Sequence, residues 1–495
     1  MTTTPRLSGP PRGSAAPELV ESGFALENAD APFLHDGLNL ADIAHVLDLR
    51  RRKLIPETAA RDLQRLLLEA YATDAAAFPY DPAFGEPYNS RERFFVERLG
   101  DVAGWLHAGR PRREAARIAL RLYIRRQLLE LVDQVASFAR HATDLAGRHV
   151  GTLMPDQTYL QQAQPSTFGH YTMSFVYPAI RDARRLLDAV DWVNRSPGGA
   201  GCVNGTRLLD DRTVIAAALG FDDVIEHTRD AMWQIDGLIH VLATAASLLS
   251  TQSKLAEDLE IWSSTEFDFV DLDDGYTRSS ILMPQKRNPY ALSIVRGASG
   301  VVIGRLTGFL AVAKSPSARS DNLIFAYGEV PRALELATRA TRLMAGVVRD
   351  LTVDAERMRA ALYGGFAQAA DLAEHLMATL GLDYRSAYDL VGAAVRRAAA
   401  EGLRGVDLTG AHLDAAAAEA GIAAPSVAEL DLRAALDPET IVRGRQTRGG
   451  AAPDVVRGMA KECAAAADAV RTAIRSRRDG FAAAEAAVLA EAWPP

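Results

Sequence analysis

Long stretches without proline constrain the fold of this chain more than any other feature. No proline occurs between Pro197 and Pro284, and residues 117–149 contain no proline and a single glycine. Within the first stretch, one apolar stripe recurs at steps of three and four residues: Leu238, Val241, Leu242, Ala245, Leu248, Leu249 and Leu255. This period is typical of a helix of many turns that buries one face against similar helices. The sequence therefore predicts an all-α fold with a central bundle of long helices.

Composition excludes several classes of function. The chain has 495 residues, of which 48% are hydrophobic and 24% charged, and its formal net charge is −8. This charge gives no reason to expect nucleic acid or an anionic membrane as a partner. No apolar run approaches the roughly 18 residues that a membrane span needs. Two cysteines, scattered histidines and no glycine-rich phosphate loop favour a cytoplasmic protein without a metal or cofactor.

The pattern along the chain predicts four parts. Residues 1–30 are rich in Thr, Pro, Gly, Ser and Ala, and they predict a disordered or loosely docked arm. Residues 31–114 predict an N-terminal helical domain, and residues 115–366 the long-helix bundle. Residues 367–495 predict a C-terminal helical domain with shorter elements.

One segment within the bundle, residues 277–289, carries the residues best suited to chemistry. Its prolines, Pro284 and Pro289, prevent a regular helix, so the segment is predicted as a loop. It holds the hydroxyl of Ser280, the cation of Lys286 and the amide of Asn288. Such a set can take a proton next to a carboxylate and stabilise the anion that is left.

This segment resembles the signature loop of the fumarase/aspartase/argininosuccinate lyase superfamily, which reads Gly-Ser-Ser, two residues, Pro, one residue, Lys, one residue, Asn. The family's catalytic serine, lysine and asparagine fall on Ser280, Lys286 and Asn288. Ser279 stands in place of the glycine and Ile281 in place of the second serine. Residues 277–289 are called the signature loop below.

The basic turn at residues 104–114 is also similar to argininosuccinate lyase, whose segment reads Leu-His-Thr-Gly-Arg-Ser-Arg-Asn-Asp. Arg110 and Arg112 match this pattern, whereas Arg113 and Glu114 replace the asparagine and the aspartate. The resemblance therefore reaches the N-terminal domain, with changes in charge at its end.

Residues 158–165 read Thr-Tyr-Leu-Gln-Gln-Ala-Gln-Pro and resemble the family's Thr-His-Leu-Gln-x-Ala-Gln-Pro. Taken alone, this segment predicts a polar loop that leads into a helix.

Matches to argininosuccinate lyase extend from about residue 38 to residue 456. The resemblance implies a homotetramer in which three subunits build each active site around a helical core.

Both halves of the family's proton relay are replaced. Tyr159 stands where the family has a histidine, and Ser293 stands where a glutamate follows the loop lysine by seven residues. The loss of both halves implies a different proton donor, or none. Tyr159 itself is one candidate donor, and His227 is a more remote one.

The positions that would recognise the guanidinium group of argininosuccinate differ as well. An arginine of the family falls on Ile235, and its tyrosine, glutamine and lysine after the loop fall on Arg319, Ile324 and Tyr327. These changes remove polar partners for a guanidinium and, together with Arg113, add cations. They argue against argininosuccinate as the substrate.

The resemblance implies roles residue by residue. Ser280 is the base, Lys286 favours its alkoxide, and Tyr159 is a possible acid for an amine leaving group. An anionic leaving group such as nitrite needs no acid. The predicted substrate-binding residues are Arg112, Arg113, Thr158, Gln164, Ser279, Asn288 and Arg319.

The sequence leaves two classes of function open. The first is a lyase that releases fumarate from a substituted aspartate- or succinate-type acid, a small dicarboxylate. A cycloisomerase, or a lyase that runs in the addition direction, is a variant of this class. The second class is a catalytically silent member of the fold that serves as a structural or partner-binding protein. The intact loop favours the first class, and the replaced relay favours the second.

Overall fold

The computed structural model describes residues 15–316, 318 and 321–492. The first part of this range is helical and forms a compact cluster. Leu40, Ile43, Leu63 and Leu67 are buried at its centre. Its α-helices are Pro17–Leu19 (α1), Ala25–Asn28 (α2), Ala31–Arg51 (α3), Glu57–Ala72 (α4) and Pro87–Leu99 (α5). A π-helical turn at Val20–Phe24 and 3-10 turns at Pro82–Phe84 and Gly100–His107 complete this part.

The structure describes part of the arm that was predicted to be disordered or loosely docked. Residues 17–28 are helical throughout, and they lead directly into α3. Part of this segment lines a cavity described below. Residues 1–14 lie outside the described range.

Long helices form the predicted bundle. One continuous hydrophobic cluster runs through them, and the apolar stripe predicted from the sequence is buried in it. The all-α prediction with a central long-helix bundle is therefore confirmed. The helices of this part are Arg112–Arg148 (α6), Phe168–Val193 (α7), Thr213–Ala218 (α8), Thr228–Trp233 (α9), Asp236–Trp262 (α10), Tyr290–Val312 (α11), Ile324–Tyr327 (α12) and Glu329–Asp350 (α13).

The last part of the chain combines a small cluster with one long helix. The helices are Ala355–Gly364 (α14), Ala369–Leu380 (α15), Tyr384–Ala400 (α16), Gly410–Ala420 (α17), Arg433–Leu436 (α18), Pro438–Gly444 (α19) and Pro453–Ala492 (α20). Helices α15–α18 surround a hydrophobic cluster of their own. By contrast, α20 returns along the bundle, where Val456 and Ile474 join its core. The predicted domain boundaries near residues 114 and 366 stay proposals. The packing of α20 places this helix with the bundle.

Short strands interrupt the helices. The longest pair, Leu153–Thr158 (β1) and Gln161–Thr167 (β2), is an antiparallel hairpin in the segment that the sequence predicts as a polar loop. The other strands have two residues each, too short to show an alternating pattern. They are Arg195–Ser196 (β3) parallel to Asp223–Val224 (β4), Val270–Asp271 (β5) antiparallel to Thr352–Val353 (β8), and Arg278–Ser279 (β6) antiparallel to Arg287–Asn288 (β7).

Helix α11 is long and apolar in composition, although Arg296 and Arg305 interrupt it. Its 23 residues include an 18-residue window with a mean hydropathy of 1.3, long and apolar enough by composition to cross a membrane. Only 28% of that window is buried within the chain. A single such helix is weak evidence for a membrane span, because helices of a protein core have the same composition. The apolar surface is instead suited to an interface between protein chains.

Candidate active site

The signature loop projects from the bundle as a hairpin whose base is closed by β6 and β7. The Ser280 amide donates to the Lys286 carbonyl at 3.1 Å, and the Asn288 side chain donates to the Arg278 carbonyl at 3.0 Å. At the tip, the Met283 amide donates to Ser280 Oγ at 3.0 Å. A backbone N–H donor at this oxygen stabilises negative charge on it, as a serine base requires.

Arg287 fixes the base of the signature loop. Its guanidinium pairs with Asp271 and, at 2.7 Å, with Asp274. The tip itself is open to solvent, since Ile281 is fully exposed and the Lys286 side chain is exposed. The loop therefore presents its hydroxyl and its cation on the surface of this chain.

Hairpin β1–β2 carries the second set of predicted residues on a solvent-exposed tip. Tyr159 and Leu160 adopt positive φ angles of 54° and 59°, as a two-residue hairpin turn between twisted strands requires. Tyr159 is 98% exposed, and Thr158 and Gln164 on the flanking strands are exposed as well. Like the signature loop, this hairpin presents reactive groups outward.

The predicted basic turn is held in place by a buried ionic cluster. Arg110 donates to the Ala41 carbonyl at 2.9 Å and pairs with Asp42, which also pairs with Arg91 at 2.7 Å. Burial alone would raise the pKa of Asp42, but Arg110 and Arg91 hold it below its ordinary value. Arg110 is thus a structural residue that fixes where α6 begins.

Glu114 faces away from solvent and stabilises a neighbouring loop. Its carboxylate accepts hydrogen bonds from the Gly199 and Gly201 amides, both at 2.7 Å. Burial raises the pKa of Glu114, and these amides partly offset the shift. Replacement of the family's aspartate by Glu114 therefore keeps a carboxylate at the start of α6.

Arg112 and Arg113 lie in the first turn of α6, and their charges are already balanced within the chain. Arg112 pairs with Glu86 and donates to Asn89 Oδ1 at 3.0 Å. Arg113 pairs with Asp321. Both were predicted to bind substrate carboxylates. In that role they remain a prediction, and a substrate carboxylate must share them with these acids.

The two arginines line a cavity of about 540 Å³. Its lining includes Ile324 and Tyr327, which the sequence resemblance places at a glutamine and a lysine of the family. No residue of the signature loop or of hairpin β1–β2 belongs to the described lining. A single chain thus presents the predicted site residues in separate places. Arg319, another predicted substrate-binding residue, lies outside the described residues.

The sequence reasoning missed the contribution of the N-terminal segment. Leu19, Gly23, Glu27 and Asp30 all line the cavity. Their spacing of four, four and three residues places them on one face of a helix, which is the signal that could have revealed them. The abundance of Pro, Gly and Ser before them obscured it.

The replaced relay positions have new neighbours. Ser293 donates to Glu260 at 3.4 Å, and Glu260 pairs with Arg296 at 2.7 Å. His227, the more remote candidate donor, caps α9 by accepting the Arg229 amide at Nδ1 at 3.2 Å. Its ring therefore has a structural role at the start of that helix.

Within residues 15–316, 318 and 321–492, no group of three or more His, Cys, Asp or Glu residues could hold a metal ion.

Comparison with known proteins identifies the family. A family model described as lyase matches residues 79–304, and one described as the C-terminal part of argininosuccinate lyase matches residues 366–443. The argininosuccinate lyase of Methanoculleus marisnigri is 35% identical over 430 residues, which are 86% of this chain and 85% of that protein. The argininosuccinate lyase of Methanococcoides burtonii is 32% identical over 419 residues, 84% of each chain.

The chain belongs to the argininosuccinate lyase family.

Solved structures agree with this membership of the argininosuccinate lyase family. EDDS lyase in complex with formate superimposes with a TM-score of 0.84 at 27% identity and covers 97% of this chain and 96% of its own. A class II fumarase from Schistosoma mansoni has a TM-score of 0.69 at 14% identity, covering 85% and 91%, and so shares the fold alone. The superfamily predicted from the signature loop is confirmed.

Proposed function

We propose that this protein is a carbon–nitrogen lyase that eliminates fumarate from a substituted aspartate- or succinate-type acid other than argininosuccinate. The observation that carries the proposal is the signature loop, in which Ser280, Lys286 and Asn288 are all kept in the family's positions. A structural relative, a variant of EDDS lyase, is described with bound fumarate, and it is 26% identical to this chain.

In the proposed reaction, Ser280 removes the proton beside a substrate carboxylate. The Met283 amide and the Lys286 cation stabilise the alkoxide before this step. The electrons of the broken C–H bond form the double bond of fumarate while the bond to the leaving group breaks. Thr158 and Asn288 hold the dicarboxylate, and Tyr159 donates a proton where the leaving group is an amine that needs one.

Two positions that the resemblance assigns to recognition of a guanidinium offer no polar group. Ile235, at the position of a family arginine, is buried and does not line the cavity. Ile324 lines the cavity where the family has a glutamine. A guanidinium held against Ile324 would lose hydrogen bonds that it makes with water, at a cost of about 1–3 kcal/mol for each unsatisfied polar group.

We also propose that the protein is a cytoplasmic homotetramer that assembles through α11. Gly297, Gly300, Gly304 and Gly308 are exposed on this helix, and a Cβ atom added at any of them would meet nothing within 4 Å. Val301 on the same helix is 48% exposed. Small residues allow helices to approach closely, so this face suits packing against copies of itself. Assembly would bring the signature loop, hairpin β1–β2 and the cavity from different subunits together.

A second candidate is a silent member of the family that keeps the assembly without turnover. The replacement of both relay residues, by Tyr159 and Ser293, favours this alternative. In that case the signature loop would be retained without chemistry.

The test is an activity panel on the purified full-length protein. Fumarate would be incubated with amines, nitrite and other nucleophiles, and in parallel aspartate, argininosuccinate, adenylosuccinate and nitrosuccinate would be supplied singly. Ultraviolet absorbance follows fumarate and mass spectrometry identifies adducts. Fumarate released from, or consumed into, one adduct supports the lyase. No change across the panel in a folded tetramer supports the silent member instead.

A further inference from the structure

The cavity at the start of α6 contains a regular pattern of paired charges. Arg112 pairs with Glu86, and Arg113 pairs with Asp321. A third lining acid, Asp30, pairs with Arg332 at 2.6 Å. These pairs hold the walls of the cavity in place and cancel most of its charge.

Glu27 is the exception among the acids of the cavity. It is half-buried, and its carboxylate makes no hydrogen bond or ion pair with any residue in the described ranges. Burial is the main cause that raises the pKa of Glu27 to about 7, and Glu86 and Asp321 raise it further. Arg112 and Arg113 lower it but do not restore the ordinary value. An additional positive charge beside Glu27 would therefore favour its ionised form.

The rest of the lining holds the Asn89 amide, the Arg117 guanidinium and one hydroxyl group, and it is otherwise apolar. The larger apolar side chains are Leu19, Phe24, Phe33, Leu34, Leu120, Ile324 and Pro331. Tyr327 also lines the cavity, and its hydroxyl is buried without a hydrogen-bond partner among the described residues. The guanidinium of Arg117 lies 5.2 Å from the centre of the Tyr327 ring. Among the described residues, the cavity thus offers an apolar wall, the unused Tyr327 hydroxyl, the Arg117 guanidinium beside that ring and the unpaired Glu27 carboxylate.

We propose that this cavity binds the leaving-group half of the substrate, a cationic amine on a short apolar chain, and that Glu27 is the carboxylate that receives its positive charge. The assignment rests on the proposed lyase function, since it names the class of the group that is eliminated. Under this proposal, residues of the N-terminal segment determine substrate specificity, and these residues do not belong to the signature loop.

Charge complementarity favours a cation over an anion beside Glu27. An anionic leaving group such as nitrite at that place would face Glu27, Glu86 and Asp321, while the nearby Arg112 and Arg113 are already paired. The third arginine of the lining, Arg117, lies against the Tyr327 ring and is not among the charges that shift the pKa of Glu27. An ammonium group would meet a carboxylate without breaking an existing pair. The apolar wall would cover the chain that carries the ammonium group.

A titration of the full-length protein tests the proposal. Succinate, which occupies a dicarboxylate site and cannot undergo addition, would be present while propylamine, propanol, propionate or nitrite is titrated calorimetrically. We expect propylamine to bind more tightly than the others, and Glu27→Gln to weaken it about tenfold or more, because a charge-assisted contact is lost. The matched control is Glu21→Gln, an exposed acid on the same segment that does not line the cavity.

The pH dependence of binding gives a second readout. Binding of propylamine to the wild-type protein should strengthen as the pH rises through about 7, because Glu27 ionises in that range. The Glu27→Gln protein should lack this step. Equal affinity for propylamine in the wild-type and Glu27→Gln proteins, or preferential binding of nitrite or propionate, would overturn the proposal.

The outcome also separates this inference from the proposed function. Release of fumarate from nitrosuccinate, unchanged in Glu27→Gln, would keep the lyase and overturn the amine pocket. Amine binding that depends on Glu27, in a protein that never forms or consumes fumarate, would keep the cationic pocket and overturn the lyase. Mutation therefore distinguishes the two claims.

Discussion

The signature loop and the α6 cavity differ in almost every physical respect. The loop rests on two short strands and presents Lys286 to solvent, and Ser280 is partly exposed. The cavity is lined by helices from separate parts of the chain, and ion pairs fix two of its arginines, Arg112 and Arg113. The loop retains the family's chemical groups, whereas the cavity has exchanged several of its own. This contrast underlies our proposal that the bond-breaking step is preserved while the recognised substrate has changed.

The largest effect is expected from Ser280→Ala. This change removes the proposed base, and we expect the rate of fumarate formation to fall by about a thousandfold or more. Because Ser280 lies on an outward-facing loop, the thermal stability of the variant should equal that of the wild-type protein. Ser476→Ala, at an exposed position on α20, is the control. A variant that keeps most of its activity would show that the loop does not supply the base.

The next largest effect is expected from Arg110→Ala, which tests whether the cavity depends on the buried cluster behind it. Loss of Arg110 leaves Asp42 partly unpaired in the interior, so the free energy of unfolding should fall by about 3–5 kcal/mol. Denaturant titrations at equal protein concentration measure this. Arg98→Ala breaks an exposed pair with Glu69 and should cost at most about 1 kcal/mol. Equal losses in the two variants would contradict a special role for the cluster.

An assembly variant tests whether the two regions work together only across subunits. Gly304→Leu adds a bulky side chain on the exposed face of α11, where a Cβ atom meets nothing within one chain. We expect the tetramer to dissociate in light-scattering measurements and the activity to fall with it. Gly458→Leu, at an equally open position on α20, should leave both unchanged. A fully active Gly304→Leu monomer would show that one chain holds a complete site.

The smallest effect concerns Glu27 and the pH dependence of stability. Its pKa is raised from 4.5 to about 7 in the folded chain, so the folded state binds a proton more tightly than the unfolded state. Stability is therefore lost as the pH rises from about 4.5 to about 7. Glu27→Gln removes this loss, and its melting temperature should exceed that of the wild-type protein by about 1–2 °C more at pH 8 than at pH 5. A gain that is independent of pH would contradict the assignment.

The bundle could be predicted because long helices leave a repeated apolar stripe in the sequence. All seven residues of the stripe from Leu238 to Leu255 are buried. The hairpin at Tyr159 could not be predicted from the sequence, because its strands are polar and its turn uses two residues that rarely adopt positive φ angles. The chemical groups of the signature loop could be predicted from the sequence because they depend on residue types in a fixed order.

Only part of the cavity lining could be predicted from the sequence. Arg112 and Arg113 line the cavity, and the binding of substrate by these two residues stays a prediction. Their pairing with Glu86 and Asp321 joins residues that are far apart in the chain, and no local pattern reports such a pair. The structural finding changes the interpretation of Arg113, since its added charge is balanced and does not by itself favour an anionic leaving group.

The most direct measurement is an addition assay with fumarate and an equimolar mixture of propylamine and nitrite, followed by mass spectrometry. The preserved loop and the changed cavity predict an adduct of fumarate with the amine in the wild-type protein. They predict no adduct in Ser280→Ala and a reduced yield in Glu27→Gln. An adduct with nitrite alone, or the same amine adduct in Ser280→Ala, would contradict the division between conserved chemistry and altered recognition.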